Sequence, residues 1–192
     1  MDSVEVVVVG GGIVGLAVGR ALAARGRETL VLERHDSPGQ ETTSRNSGVI
    51  HSGIYYPTGS LKAQLCRRGR DLLYDYCAQR DISHRRCGKL IVAGDSQVPA
   101  LHALRQKAID NGVGDLTLLT AAEAAELEPQ VRCAAALLSP STGIVDVHEL
   151  LLSYLGDLEA HGGTLVSRCE LLSAATVRDG LVLQVRSEDI EG

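Results

Sequence analysis

The chain opens on a β-branched apolar run, Val4-Glu5-Val6-Val7-Val8-Val9, which predicts a strand. It runs into Gly10-Gly11-Gly12-Ile13-Val14-Gly15, after which apolar residues recur at helical spacing as far as Ala24. Gly26 ends that helix, and Thr29-Leu30-Val31-Leu32 reads as a second strand closing on Glu33. Strand, glycine turn, helix, strand and acid, in that order, describe a dinucleotide-binding crossover. Gly10 permits the tight turn, Gly12 lets the backbone approach a pyrophosphate, and Gly15 lets the helix pack close to the strand. The helix start, with Ile13 and Val14, presents N–H groups and a partial positive charge to phosphates. Glu33 lies eighteen residues past Gly15, where a carboxylate can accept both ribose hydroxyls. Gly19 marks a helix crossing.

Beyond a polar loop from Arg34 to Thr43 the texture changes. Ser60 is an N-cap for a helical period running through Leu61, Leu65, Leu72 and Tyr76 to about Arg80. Lys89-Leu90-Ile91-Val92-Ala93 reads as a buried strand, and Pro99 to Asn111 as a helix with Gly112 past its end. Thr120 and Glu123 form a capping box for a short helix, and Ala134 to Ser139 reads as another strand. Asp146 and Glu149 open a helix that Gly162-Gly163 terminates before the strand Thr164-Leu165-Val166. Asp179-Gly180 is expected as the two-residue turn of a hairpin between Leu171–Arg178 and Leu181–Ser187.

The fold class that follows is α/β: a Rossmann-like domain, residues 1–55 and 143–192, interrupted by an inserted α+β segment over 56–142. The chain stops just after the hairpin with no helix to close the sheet, so it reads as truncated at its C-terminus.

Composition narrows the class. Of 192 residues 44% are apolar, enough for a core, yet there is no Phe or Trp, so packing rests on Leu, Val, Ala and Ile. The net charge of −5 has only short basic pairs behind it, Arg67-Arg68 and Arg85-Arg86, which argues against nucleic acid as a partner. Five widely spaced cysteines without a C-x-x-C pair suggest reduced thiols and a cytoplasmic location, and no metal site is expected. Glu5 and Arg20 interrupt the apolar stretch 4–24, so it is not a membrane span, and Asp2 and Glu5 replace the basic start of a secretory signal. Peripheral membrane contact stays open.

Residues 45–65, Arg-Asn-Ser-Gly-Val-Ile-His-Ser-Gly-Ile-Tyr-Tyr-Pro-Thr-Gly-Ser-Leu-Lys-Ala-Gln-Leu, resemble the signature of the L-2-hydroxyglutarate dehydrogenases and oxidases. These are FAD enzymes of the D-amino-acid-oxidase-like group. Cys87-Gly88-Lys89-Leu90-Ile91-Val92-Ala93 and Thr142-Gly143-Ile144-Val145-Asp146 resemble the same family at comparable spacing. Such enzymes run to roughly twice this length, which would account for the ending. The resemblance implies that the turn residues Gly10, Gly12, Ile13, Val14 and Gly15, with Glu33 and Arg34, hold the ADP half of FAD. Thr43 and Ser44 would bind the pyrophosphate through hydroxyl and backbone donors. Asn46, Ser47 and Gly48 would pass under the flavin, and the strand near Leu171 would set a backbone group against adenine. The insertion would form part of an antiparallel substrate domain.

The implied reaction is oxidation of a 2-hydroxy acid to a 2-keto acid, with L-2-hydroxyglutarate as the substrate, by hydride transfer from C2 to flavin N5 while a base accepts the hydroxyl proton. His51 is the first choice for that base, because a neutral imidazole accepts a proton near neutral pH; bracing its own loop is the alternative role. Tyr55 and Tyr56 would shape the pocket or simply pack. Lys89 would meet a substrate carboxylate or end its strand as a solvated lysine. The electron acceptor, whether oxygen, a quinone or a carrier protein, is not indicated. Alternatives are an amine, glycine or glycerol-3-phosphate oxidising flavoenzyme of the same group and an inactive nucleotide-binding fragment. An NAD-linked dehydrogenase fits the middle motif less well. A later glycine-rich turn and a flavin-covering segment of that group are not found before Gly192, so weak FAD binding and low turnover are expected of the chain.

Overall fold

A computed structural model describes residues 3–187. Asp2, used in the argument on charge at the N-terminus, and residues 188–192, the end of the expected 143–192 segment, lie outside the described residues. The chain divides into two units, Met1–Asn46 with Val147–Gly192, and Ser47–Asp146.

The first unit is built on a parallel sheet. β1 (Val6–Val9) and β2 (Thr29–Leu32) pair in parallel, Val6 opposite Thr29. β9 (Thr164–Val166) adds to the other side of β2, Leu30 opposite Thr164. Parallel neighbours need a crossover, supplied between β1 and β2 by α1 (Ile13–Ala23) and before β9 by α5 (Val147–Ala160). Leu16, Ala23, Val31, Leu151 and Leu158 form the core, with Val8, Ile13 and Leu165 packed on it. Gly19 is where α1 comes closest: a Cβ there would lie 2.7 Å from Val31 Cγ2. Asp157 is buried on α5 and pairs with Arg20 of α1 at 2.6 Å, the Arg20 guanidinium lying 4.2 Å from the Tyr154 ring centroid.

From β9 the chain passes along the end of β2. Cys169 N donates to Glu33 O and Arg168 N to His35 O, both at 2.8 Å. There follows the antiparallel pair β10 (Cys169–Val177) and β11 (Gly180–Ser187). The turn is one residue earlier than expected. Val177 faces Gly180, so Arg178 and Asp179 make it, and Gly180, at φ +152, opens β11.

The second unit is antiparallel throughout. β3 (Val49–Ile50) and β4 (His84–Arg85) flank β8 (Gly143–Val145). β5 (Leu90–Ala93) and β6 (Thr117–Thr120) flank β7 (Ala135–Leu138). The unit begins at 47 and ends at 146, not at 56 and 142, because β3 and β8 pair with each other. Strands of two and three residues are too short to show alternation, so the sequence pattern does not reveal them. α2 (Leu61–Gln79) starts where expected, with Ser60 Oγ accepting from Ala63 N at 3.2 Å. α3 (Val98–Asp110) carries proline in its first turn, and α4 (Ala121–Leu127) has the Thr120/Glu123 capping box. Ile54, Leu101, Ala108, Val113, Leu116 and Leu137 form the centre of this unit's core. β5 is one-sided and not buried throughout: Ala93 is buried and Val92 is exposed.

Among the described residues no helix is long and apolar enough to cross a membrane.

Candidate functional site: a diphosphate cradle and a histidine cluster

In the first unit the glycine turn begins level with the end of β2, since Gly10 N donates to Leu32 O at 2.8 Å. Gly10 has φ +103, which glycine adopts without the penalty a Cβ would bring. A Cβ on Gly15 would overlap the Gly10 carbonyl oxygen, and one on Gly12 would stand 3.1 Å from Thr43 Oγ1. The fold itself therefore requires bare backbone at Gly15 and favours it at Gly10, whereas at Gly12 a Cβ would press on the Thr43 hydroxyl.

The turn's amides are not all free, which corrects the sequence expectation. Gly11 N donates to Glu33 Oε2 at 2.8 Å, and Ile13 N donates to Thr43 Oγ1 at 3.1 Å. The reason is local. Gly12 is the N-cap of α1 and has no side chain, so Thr43, thirty positions on, supplies the capping oxygen. Gly12 N and Val14 N have no hydrogen-bond partner among the described residues. They stand at the positive end of α1, the place where a helix holds an anion.

Glu33 is buried at the end of β2, 6% exposed. Its Oε2 takes the Gly11 amide and its Oε1 takes the His35 amide at 2.9 Å. A carboxylate has about four acceptor positions, so each oxygen keeps one for a ribose hydroxyl. Glu33 thus ties the turn to β2 before any ligand arrives. Arg34 pairs with Glu41, whose Oε1 also meets His35 Nε2 at 2.9 Å. These hydrogen bonds hold the Glu41 carboxyl below its ordinary range, His35 first and Arg34 next.

Thr43 accepts from Ile13 N and keeps its own O–H to donate. Ser44 differs from expectation. Its amide donates to Gly39 O at 2.9 Å, and its hydroxyl donates into its own loop, to Gln40 O at 2.7 Å or Glu41 O at 2.9 Å. Both Ser44 donors are committed, so neither is left for a phosphate. Asn46 N donates to Thr43 O at 3.3 Å. Leu171 lies on β10 opposite Val185, two residues past the Cys169–Glu33 bond. Two unpaired amides at a helix start, an acid with spare acceptors and glycines whose Cβ positions are blocked fit a dinucleotide diphosphate and its ribose.

Ser47 and Gly48 open the second unit. Gly48 is buried at φ +67, and its carbonyl accepts from Val145 N at 2.9 Å. His51 follows β3. Its carbonyl accepts from Cys66 Sγ at 3.4 Å, and its ring is within electrostatic reach of Lys89 and Lys62. Partial burial first, and then those two charges, hold the imidazole below its ordinary value. Lys89 Nζ lies 4.5 Å from the Tyr55 ring centroid, and Lys62 Nζ lies 4.6 Å from that of Tyr56. Neither ammonium has a carboxylate partner among the described residues. Burial pushes the Tyr56 hydroxyl up, with the neighbouring Cys66 thiol adding to the shift.

The expected residues His51, Tyr55 and Lys89 are therefore brought together, and Lys62 joins them unforeseen. Its only sequence signal is its place in the first turn of α2, within the 45–65 stretch. The cluster can take up a proton at a neutral imidazole and hold anionic groups on two ammoniums.

A family model described as FAD dependent oxidoreductase (DAO) matches residues 5–191. The chain is 52% identical over 153 residues to the mitochondrial L-2-hydroxyglutarate dehydrogenase of Arabidopsis thaliana, covering 79% of this chain and 32% of that protein. It is 45% identical over 173 residues to the protein of the same name from Homo sapiens, covering 88% of this chain and 37% of that protein. Among solved structures it is similar to dithionite-reduced L-alpha-glycerophosphate oxidase from Mycoplasma pneumoniae with FAD bound, at TM-score 0.91 and 26% identity, covering 98% of this chain and 51% of that one. Glycine oxidase from Geobacillus kaustophilus shares the fold at TM-score 0.84 and 24% identity, with 94% and 51% covered. The chain thus spans about a third of the length of these two curated relatives.

Proposed function

The chain belongs to the FAD-dependent oxidoreductase family, and on that premise we propose that it oxidises the C2 hydroxyl of a 2-hydroxy acid to a ketone, with L-2-hydroxyglutarate as the substrate. The observation that carries this reading is the cluster of His51 with Lys89 and Lys62. A 2-hydroxy acid needs a proton acceptor for its hydroxyl and a cation for the adjoining carboxylate. A dicarboxylic one needs a second cation. The relatives named L-2-hydroxyglutarate dehydrogenase, similar over most of this chain, support the choice among hydroxy acids.

In this reading FAD would supply the hydride acceptor for C2. Gly12 N and Val14 N would hold the diphosphate, with the Thr43 O–H as a further donor, and Glu33 would accept from the ribose. His51 starts neutral and takes the hydroxyl proton on a ring nitrogen. Lys89 binds the C1 carboxylate and fixes the C2–O bond toward His51, and Lys62 binds the distal carboxylate. The cytoplasmic location expected from the sequence remains part of the proposal, resting on five cysteines without a C-x-x-C pair.

The test is anaerobic titration of the FAD-loaded protein while its visible flavin bands are recorded. L-2-hydroxyglutarate bleaches them, whereas glycine, sarcosine and glycerol 3-phosphate do not. Bleaching by one of those three instead, or by none of the four, overturns the substrate assignment. Reoxidation by oxygen, a quinone or a carrier protein then identifies the acceptor.

A further inference from the structure

The second unit contains three hydroxyls sealed from solvent. Ser52, Ser139 and Thr142 are each at most 3% exposed. Ser52 Oγ lies 3.1 Å from Ser139 Oγ and 3.2 Å from Thr142 Oγ1, and the last two are 3.0 Å apart. Each hydroxyl has one proton to give and lone pairs to receive. Three of them in mutual contact close a ring in which every member donates once and accepts once. Such a ring is satisfied without water, and its bonds reinforce one another in a low-dielectric interior.

What the ring joins is informative. Ser52 follows His51 directly in the chain. Ser139 is bonded through its backbone to Lys89 in both directions, Lys89 N to Ser139 O at 3.1 Å and Ser139 N to Lys89 O at 2.9 Å. Thr142 O accepts from Gly88 N at 2.9 Å, holding the residue before Lys89 as well. Three segments that are distant in sequence, at 52, 88–89 and 139–142, therefore meet at one buried point. The loop after His51 is also held by Asn111 Nδ2, which donates to Gly53 O at 3.3 Å and to Tyr56 O at 3.0 Å, and by buried Ile54, while the hydroxyl ring joins the residue next to His51 to the segment that carries Lys89.

We propose that Ser52, Ser139 and Thr142 are positioning residues, a hydroxyl clamp that keeps His51 at a fixed spacing from Lys89. The clamp rests on the roles given above to His51 and Lys89, but its test does not depend on them. The charges that act on the His51 ring are Lys89, the residue before β5, and Lys62 from α2; the other titratable groups at its loop are Cys66, whose Sγ donates to the His51 carbonyl, and Tyr55 and Tyr56, whose rings lie against Lys89 and Lys62. Of these, Lys89 is the one the clamp ties down. If the clamp opens, the imidazole gains water and moves away from the Lys89 charge, and both changes favour its protonated form.

The experiment is the NMR titration of the His51 ring proton in the full chain, with Thr142→Val, Thr142→Ser and Ser52→Ala compared. Thr142→Val keeps the shape and removes the hydroxyl, whereas Thr142→Ser keeps the hydroxyl. The wild-type and Thr142→Ser midpoints should coincide below the ordinary histidine value. Those of Thr142→Val and Ser52→Ala should rise toward it, with flavin retention unchanged. A Thr142→Val midpoint equal to wild type, or a Thr142→Ser midpoint shifted equally, overturns the clamp. So does loss of fold by circular dichroism in both hydroxyl-deleted variants while Thr142→Ser stays folded, since the ring would then serve stability alone. These shifts are read without substrate, so failure of the hydroxy-acid assignment in the bleaching assay leaves them standing.

Discussion

Gly15 and Gly10 touch across the turn, the Gly15 Cα lying so near the Gly10 carbonyl that a Cβ would overlap its oxygen and stand 3.1 Å from its carbon. Backbone cannot yield as a flexible side chain can. Gly15→Ala should therefore cost about 3 kcal/mol of stability, at or above the upper end of the usual overpacking range. Gly10→Ala meets no atom within 4 Å and carries only the strain of φ +103, about 1–2 kcal/mol. Urea midpoints of the two variants should fall in that order. Equal losses would mean that the turn relaxes around a methyl group.

Glu33 and Thr43 each combine a structural bond with a ligand-facing capacity. Thr43→Val removes the cap from Ile13 N and should cost about 1 kcal/mol of stability, the usual worth of an N-cap side chain. Glu33→Gln exchanges one carboxylate oxygen for an amide that cannot accept from Gly11 N or a ribose hydroxyl. Hydrogen bonds to a charged group are worth about 1.5–3 kcal/mol, so FAD affinity should fall roughly ten- to a hundredfold. Fluorescence titration of free FAD with each variant measures this directly. Affinity unchanged in Glu33→Gln would leave the acid with its structural tie alone.

Lys62 and Lys89 should separate in their kinetic effects. Lys89→Met removes the cation next to the reacting centre and should raise KM and lower kcat together, by about tenfold each if each term forfeits roughly 1.4 kcal/mol. Lys62→Met should raise KM for a dicarboxylic substrate by a similar factor with little change in kcat. For a monocarboxylic 2-hydroxy acid it should change neither. Stopped-flow flavin reduction with both substrate types provides the comparison, and an equal response to the two substrates would detach Lys62 from the distal carboxylate.

What the sequence disclosed follows from how local each signal is. The crossover from Val6 to Glu33 was legible because strand, turn and helix are contiguous and its glycines answer either a nearby contact, at Gly15 and Gly19, or a positive φ, at Gly10 and Gly26. Capping at Ser60 and at Thr120 with Glu123 was legible for the same reason. The Thr43 cap was hidden because it spans thirty residues and replaces a side chain that Gly12 lacks. β3, β4 and β8 were hidden because two or three residues show no alternation, and with them went the true edges of the second unit. Lys62 and the hydroxyl ring depend on the packing of distant segments, which no periodicity encodes. Ser44 shows the converse: its residue type suited a phosphate, yet its own loop had already taken its donors.

His51 sets the pH dependence. Burial, then Lys89, then Lys62 lower its pKa, so the neutral, proton-accepting form persists in more acidic solution than an unperturbed histidine near 6.5 allows. The rate of flavin reduction should hold steady as pH falls through about 6.5 and drop only below it. Lys89→Met removes one of the charges and should move that acid limb upward, toward the ordinary value. Stability has the same sign. Between the ordinary and the lowered pKa the unfolded chain holds more protons at this site than the native one, so the His51 contribution is complete above about 6.5 and shrinks as pH falls through that window, levelling off below the native pKa. His51 is only partly buried, so this stability effect is small and the kinetic limb is the sensitive reading. An acid limb centred at or above 6.5 in the wild type, or one that Lys89→Met leaves in place, would remove His51 from the role of proton acceptor.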